Sequence, residues 1–425
     1  MPALQLLAPR TPDEAGLSLE LLTQLALKTL YYAGELTGAD LARRLGVAFG
    51  VIEPSLDFLR RRRHCEVVGA AMVGGSSFRY RIADEGRSLA AQYLQQDRYV
   101  GTAPVPLSQY RAYMAEQKGA GMARVSRDQL RQALSHLVVG DRVLDELGPA
   151  VNGGHSLFIY GPSGNGKTVM AQALRKLLPG DLAIPRALEV EGRIVRVFDP
   201  LTHEELPADE HEGLELNLEV DARWARCRRP LVTVGGELTI DMLELTHDDR
   251  LGYYRAPLQL AANGGILVID DFGRQRASPR DLLNRWLVPL ESRVDYLTLE
   301  SGLRFEVPFQ VFVVFATNLT PSALVDDAFL RRVQYKVFAD SPNSEAFARI
   351  FELCCHERGI PFDGALVAHL LEGHYRAHGI APRGCQPRDL INQALLLAEY
   401  RVSPRRLTPE LLDAACDSYF VHDRA

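Results

Sequence analysis

Two short stretches of the chain carry side chains whose types and spacing suit phosphate chemistry. The first is Gly161, Pro162, Ser163, Gly164, Asn165, Gly166, Lys167 and Thr168, which fits the pattern G-x-x-x-x-G-K-[ST]. Glycines at these positions let backbone N–H groups close around phosphate oxygens. Lys167 then reaches the outer phosphates, and Thr168 offers its hydroxyl to Mg2+. The second stretch is "ANGGILVIDDFGRQ", residues 261 to 274, in which four apolar residues run into Asp270 and Asp271. A buried strand ending in acid brings a carboxylate to a phosphate-bound metal, so Asp270 is expected on Mg2+ through water. Asp271 becomes the candidate base for the attacking water. Aspartate is one methylene shorter than glutamate, which leaves open an ATP-gated scaffold that barely hydrolyses. Glu237, after "LVTVGG", is the rival carboxylate. The cofactors expected are ATP and Mg2+.

Such groups work only if rigid elements hold them. "HSLFIY" reads as a strand entering the glycine loop, and "KTVMAQAL" as the helix leaving it. Ile266 to Ile269 read as a second buried strand, too short and too β-branched for a helix. "VPFQVFVVFATNLTP" is a third strand, ending in a polar "ATN". "DYLTLESGLRFEVPF", residues 295 to 309, alternates about Ser301-Gly302 and reads as a hairpin. About a hundred residues separate Thr168 from Ile266, room for an insertion over about 180–230 that includes the acid-rich stretch from Glu204 to Asp221.

The bulk properties fit a soluble cytoplasmic chain of two or three domains. It has 425 residues, 47% apolar content and a net charge of −6, which argue against disorder and against a wholly basic nucleic-acid coat protein. No apolar run approaches the roughly 20 residues a membrane span needs, so no membrane insertion is expected. The six cysteines show no C-x-x-C pair and read as buried thiols. His374 and His378 are four apart, but with no H-E-x-x-H pattern and no third ligand in view they are not read as a metal site.

These motifs in this order resemble an AAA+ ATPase over residues 125 to 425. The resemblance implies an α/β P-loop core with a parallel sheet and a helical lid. It also implies roles: Asn318, in "ATN", as the sensor 1 residue orienting the water; Arg331 or Arg332, in "LVDDAFLRRVQY", as a finger acting on a neighbouring subunit; Arg388, in "GCQPRDLINQAL", at the sensor 2 position. A homo-oligomeric ring, a hexamer, follows from the same resemblance. The hairpin before the sensor 1 strand resembles the branch that includes MoxR-like chaperones, minichromosome-maintenance helicases and enhancer-binding activators, whose GAFTGA loop is absent here. Gly252-Tyr253-Tyr254 falls where such motors place a pore loop, with burial of both tyrosines as the equal alternative.

Residues 18 to 97 read helix, helix, helix, hairpin, helix and resemble a winged helix-turn-helix, a small α+β domain. In residues 1 to 100 twelve Lys and Arg face eleven Asp and Glu. The Arg60 to Arg63 run spreads around its helix, since successive residues turn by about 100°. A protein client or adaptor is therefore favoured over DNA as what this domain docks. The domains expected are 1–97, a linker over 98–125, a core over 126–340 and a lid over 341–425, with 1–97 dispensable for basal turnover. The leading function is an ATP-hydrolysing, chaperone-like ring that remodels a protein partner. A DNA-dependent motor and an ATP-gated scaffold are the alternatives.

Overall fold

The computed structural model describes residues 6–70, 75–119, 124–207, 220–324 and 330–420. Its centre is a five-stranded sheet in the order Leu231–Val234, Ile266–Ile269, Phe312–Thr317, Ser156–Tyr160, Tyr335–Phe338, every pairing parallel. Parallel strands are covered on both faces, which explains their near-continuous apolar runs. Alternate residues serve the two faces. Phe158, Leu267, Ile269, Val313 and Phe315 pack with Phe272, Leu282 and Trp286. Leu157, Ile159, Ile266, Val268 and Val314 pack with Leu144, Leu147, Met170 and Leu174. Because all five strands run the same way, the phosphate loop, Asp270 and Asn318 emerge at one edge of the sheet.

A second sheet stands beside the core, in the order Thr246–Asp248, Tyr253–Arg255, Arg193–Arg196, Ala187–Val190, Val105–Pro106. Its last strand corrects the reading of 98–125 as a linker. Val105 and Pro106 pair parallel with Leu188 and Glu189. The helix Leu107–Gly119 follows, burying Tyr110, Tyr113 and Met114. Asn263 donates to the Tyr110 hydroxyl at 2.6 Å, and the Ala183 N–H donates to that of Tyr113 at 2.8 Å. The prolines mark a sheet edge, where proline is tolerated, and residues 110, 113 and 114 form one helical face.

Of the two readings open for Gly252-Tyr253-Tyr254, the structure shows the buried one. Tyr253 and Tyr254 sit in a strand, only 8% and 5% exposed. Tyr253 meets Tyr99 edge-on at 5.7 Å, and the Tyr254 hydroxyl accepts the Glu300 N–H at 3.1 Å. The expected hairpin is present, Val294–Thr298 against Arg304–Pro308, with Gly302 at φ 82° in its turn.

The N-terminal helices Leu19–Ala33, Gly38–Leu45 and Phe49–Arg61 pack on an antiparallel sheet in which Phe78–Ile82 lies between Glu35–Thr37 and Cys65–Ala70. Their core does not close on itself. Leu22, Leu25, Ile52 and Leu56 share one cluster with Tyr99, Ala103, Ala187, Ile194 and Tyr253. Arg223, 2% exposed, ties the two parts further: it pairs with Asp221 and donates to the Ala15 carbonyl at 2.9 Å and to Gln109 at 3.1 Å. Removing residues 1–97 therefore uncovers apolar surface of the remainder, so the expectation that this part is dispensable is withdrawn.

Arg223→Met should lower stability by about 3–5 kcal/mol, because it strands the Asp221 charge in the interior. The double change Arg223→Met, Asp221→Leu should recover most of that loss. Urea unfolding of the three proteins checks this, and equal midpoints for single and double variants would overturn it.

The C-terminal helices Ser344–Glu357, Gly364–Leu370, Gln386–Tyr400 and Pro409–Tyr419 enclose Phe347, Phe351, Leu390, Ile391 and Leu412. All six cysteines are free thiols, five of them buried.

Candidate nucleotide site

The strand Ser156–Tyr160 delivers the chain into the loop, and the helix beginning at Lys167 leaves it. Gly161 (φ 137°) and Gly164 (φ 84°) hold backbone shapes that a side chain rarely adopts. A Cβ at Gly161 would collide with the Ala339 carbonyl, and one at Gly164 would lie 2.6 Å from the Cys385 sulfur. The loop is thus clamped between the end of the sheet and the C-terminal helices. Asn165 extends the clamp, accepting the Gly384 N–H at 3.1 Å, while the Cys385 N–H donates to the Gly164 carbonyl at 2.8 Å. Pro162 contributes its carbonyl, and Ser163 is exposed at the loop tip.

Lys167 is 9% exposed and folds back on its loop, donating to the Gly161 and Pro162 carbonyls at 3.0 and 2.9 Å. Burial lowers its pKa, and the charges of Asp271 and then Asp270 pull it back upward. Two carbonyls take two of the three ammonium protons without neutralising the charge, which leaves a donor for an anion such as phosphate.

Thr168 donates its hydroxyl to both oxygens of Asp270, at 2.8 and 2.9 Å. A hydroxyl and a carboxylate held together are hard oxygen donors of the kind Mg2+ takes, so the pair fits that ion. Asp270 is anchored from behind: its N–H donates to Val234 at 2.8 Å and its carbonyl accepts Gln275 at 2.8 Å. The support from Gln275 had no signal in the sequence.

Asp271 follows at φ 47°, the left-handed region, where aspartate is among the few side chains often found. Its carboxylate is exposed and is the foremost acidic influence on Lys167. The turn that carries it is bonded to the third strand, since the Phe272 N–H donates to Ala316 at 2.8 Å and the Thr317 hydroxyl to Phe272 at 2.7 Å. Asn318, half-buried, comes next after Thr317, so Asp271 and Asn318 are positioned by the same bonds. Glu237 is exposed and turned onto its own loop, accepting the Gly235 N–H at 3.0 Å, which lowers its pKa.

The expected arginines Arg332 and Arg388 have different partners. Arg332 bonds to Glu291 at 3.2 Å, and its carbonyl accepts the Ser156 hydroxyl. Ser156 begins the strand whose far end carries the loop, about 13 Å away at 3.3 Å per residue. Neither Arg332 nor the exposed Arg331 therefore faces this chain's own site, and residues 325–329 lie outside the described residues. Arg388 is exposed and pairs with its neighbour Asp389 at 3.0 Å. The C-terminal arginine whose charge reaches Lys167 is Arg383, five residues earlier, in the turn that packs on Gly164. "APRGCQPRDL" offers two arginines, and only the second stands where the family resemblance places sensor 2, at the start of a lid helix.

A phosphate loop following an interior strand of a five-stranded parallel sheet, with paired carboxylates at the same edge, defines a P-loop nucleotide-binding core. Residues 138–205 match the family described as magnesium chelatase, subunit ChlI, which supports the narrower class of AAA+ ATPases. Residues 343–418 match a domain of unknown function, DUF8689. No curated protein matches the chain. Among solved structures, the RuvB Holliday junction branch migration motor of Thermotoga maritima aligns at 12% identity and TM-score 0.39, over 67% of this chain and 71% of that one. NtrX from Brucella abortus in complex with ATP aligns at 16% identity and TM-score 0.39, over 80% of this chain and 65% of that one. The chain thus spans less than two thirds of the NtrX length. Likenesses at this level carry no argument about function.

Proposed function

We propose that this chain is a subunit of an ATP-hydrolysing AAA+ ring, a hexamer, that remodels a protein partner in the cytoplasm. The observation that carries the reading is the meeting of Lys167, Thr168, Asp270 and Asp271 at one sheet edge, beneath a turn of the C-terminal helices. Thr168 and Asp270 would hold Mg2+, which neutralises phosphate charge when bound. Lys167 exchanges its two carbonyl partners for phosphate oxygen, and Asp271 accepts a proton from a water that Asn318 helps to orient. Arg331 and Arg332, remote from this chain's own loop, suit a finger that serves a neighbour. The hairpin before the third strand supports the MoxR-like branch. Among the described residues, no helix is long and apolar enough to cross a membrane.

A protein rather than DNA is favoured by the winged-helix-like N-terminal unit. The helix that would read a groove, Phe49–Arg61, exposes Glu53, Pro54 and Phe58 ahead of Arg60 and Arg61, and its half-exposed Asp57 pairs with Arg60 at 3.0 Å. Glu53 there would repel phosphates, and Asp57 offsets part of the arginine charge. At its N-terminal turn, which should meet base edges, Gly50 is exposed but the Arg10 carbonyl stands close by, 2.6 Å from where a Cβ would lie. Arg79 and Arg81 on the strand of the wing are both paired with Glu35, at 2.9 and 2.8 Å.

The test is capture with Asp271→Asn, which keeps Lys167 and blocks the base. The variant should hold a protein in ATP, release it in ADP and ignore nuclease. Loss of capture after nuclease would favour a DNA-dependent motor.

A second expectation concerns assembly. Mixing an Arg331→Ala, Arg332→Ala chain with a Lys167→Ala chain should restore part of the turnover that each lacks alone. No recovery in assembled mixtures would exclude a finger acting between subunits.

A further inference from the structure

The C-terminal helices hold a cluster of ligating side chains that the nucleotide site does not use. His369, in helix Gly364–Leu370, and His374, in the π-helical turn Leu371–Arg376, both bring Nε2 to one oxygen of Asp413, at 2.6 and 2.8 Å. Asp413 belongs to a different helix, Pro409–Tyr419, 44 residues from His369. All three ligating atoms lie within 4.8 Å of one another.

The backbone is irregular at the place where this cluster needs it. On an ordinary α-helix, residues five apart point about 140° away from each other. The i to i+5 bonding of a π turn closes that angle and sets His374 beside His369. Such turns are rare and concentrate at functional sites.

Two imidazole nitrogens and one carboxylate oxygen are a frequent donor set for first-row transition metals, and zinc sites with three protein ligands keep a further position for water. The His374 ring is 14% exposed, whereas His369 and Asp413 are 40% and 41% exposed, so one side of the cluster is open to solvent. At metal–ligand distances of about 2.1 Å and tetrahedral angles, neighbouring ligand atoms stand about 3.4 Å apart. Side-chain rotations that widen the present contacts by less than 1 Å reach that spacing. His378 lies outside this group, its ring 6.4 Å from that of His374 and its Nδ1 donating to the His374 carbonyl at 2.9 Å.

We propose that His369, His374 and Asp413 bind a transition-metal ion of the Zn2+ type, clamping the last helix to the π turn. The clamp lies on a short path to the phosphate loop. Tyr419 is six residues after Asp413, about 9 Å along the same helix. Its hydroxyl is 3.9 Å from the Cys385 sulfur, and the Cys385 N–H holds the Gly164 carbonyl.

The experiment titrates untagged, chelator-treated, nucleotide-free full-length protein with Co2+, read by its visible absorption, and with Zn2+, read by thermal unfolding. One saturable ion per chain and a higher melting temperature with Zn2+ are expected. His374→Ala and Asp413→Asn should each weaken binding at least tenfold, while His247→Ala, in the second histidine–carboxylate cluster with Asp249 and Glu300, should leave it unchanged. Should His374→Ala perturb the fold, His369→Gln at the more exposed position serves in its place, with circular dichroism confirming structure. Absence of saturable binding to the parent overturns the proposal. So does unchanged affinity in a folded His369→Gln, Asp413→Asn double variant.

Discussion

Lys167→Ala should abolish measurable nucleotide turnover, with kcat down by about 10²–10³ or more, the range seen when one preorganised charge-stabilising group is removed. Nucleotide affinity should fall at least tenfold, because a charge-assisted hydrogen bond in a dry site contributes about 1.5–3 kcal/mol. Lys167→Met separates loss of function from loss of structure. The parent lysine is desolvated, its hydrogen bonds go to two loop carbonyls and the charges of Asp271 and Asp270 offset only part of the burial cost, so a neutral chain of similar length removes a buried charge at little packing cost. The expected result is a methionine variant that melts no lower than the parent without nucleotide, yet fails to bind or hydrolyse ATP. Because burial lowers the lysine pKa, the charged form costs stability, and that cost is relieved as pH rises through the lowered value. The stability advantage of the methionine variant should therefore shrink in alkaline buffer. Turnover at the parent rate in either variant would refute the phosphate-loop assignment.

Asp271→Asn should retain ATP binding and lose turnover by about 10²–10⁴, the usual contribution of a positioned general base. Glu237→Gln should stay within a few-fold of the parent, since that carboxylate is engaged by its own turn. The left-handed backbone at residue 271 gives a reason for aspartate over glutamate: the shorter acid is common in this conformation, while most other side chains pay about 1 kcal/mol or more for it. Asp271→Glu should consequently lose stability, and steady-state phosphate release will report whether its extra methylene compensates in rate. If Asp271→Asn binds ATP and turns over like the parent, the base is elsewhere. If the parent itself does not turn over with its partner present, the ATP-gated scaffold is the correct reading.

What the sequence determined by itself is local. The loop from Gly161 to Thr168 is legible because all its phosphate donors are contiguous and its glycines are required by backbone shape. The strand ahead of Asp270 is legible because a fully buried parallel strand must be apolar on both faces. The hairpin around Gly302 is legible from alternation and turn chemistry.

What only the tertiary structure decided depends on residues far apart in the chain, whose meeting leaves no periodic trace. Arg383 is brought to the phosphate loop by contacts such as that between Gly384 and Asn165, 219 residues apart. The family resemblance, which places sensor 2 at the start of a lid helix, points to Arg388 instead. Residues 98–125 looked like punctuation because proline marks sheet edges as readily as linkers. Tyr253 and Tyr254 were equally suited to a pore or to a core. Tyr99 and the second sheet, formed by strands from both sides of the phosphate loop in sequence, place them in the core. The cluster of His369, His374 and Asp413 was invisible for the same reason: five-residue spacing is wrong for an α-helix, and only the π turn and a helix packed across it make the three side chains meet.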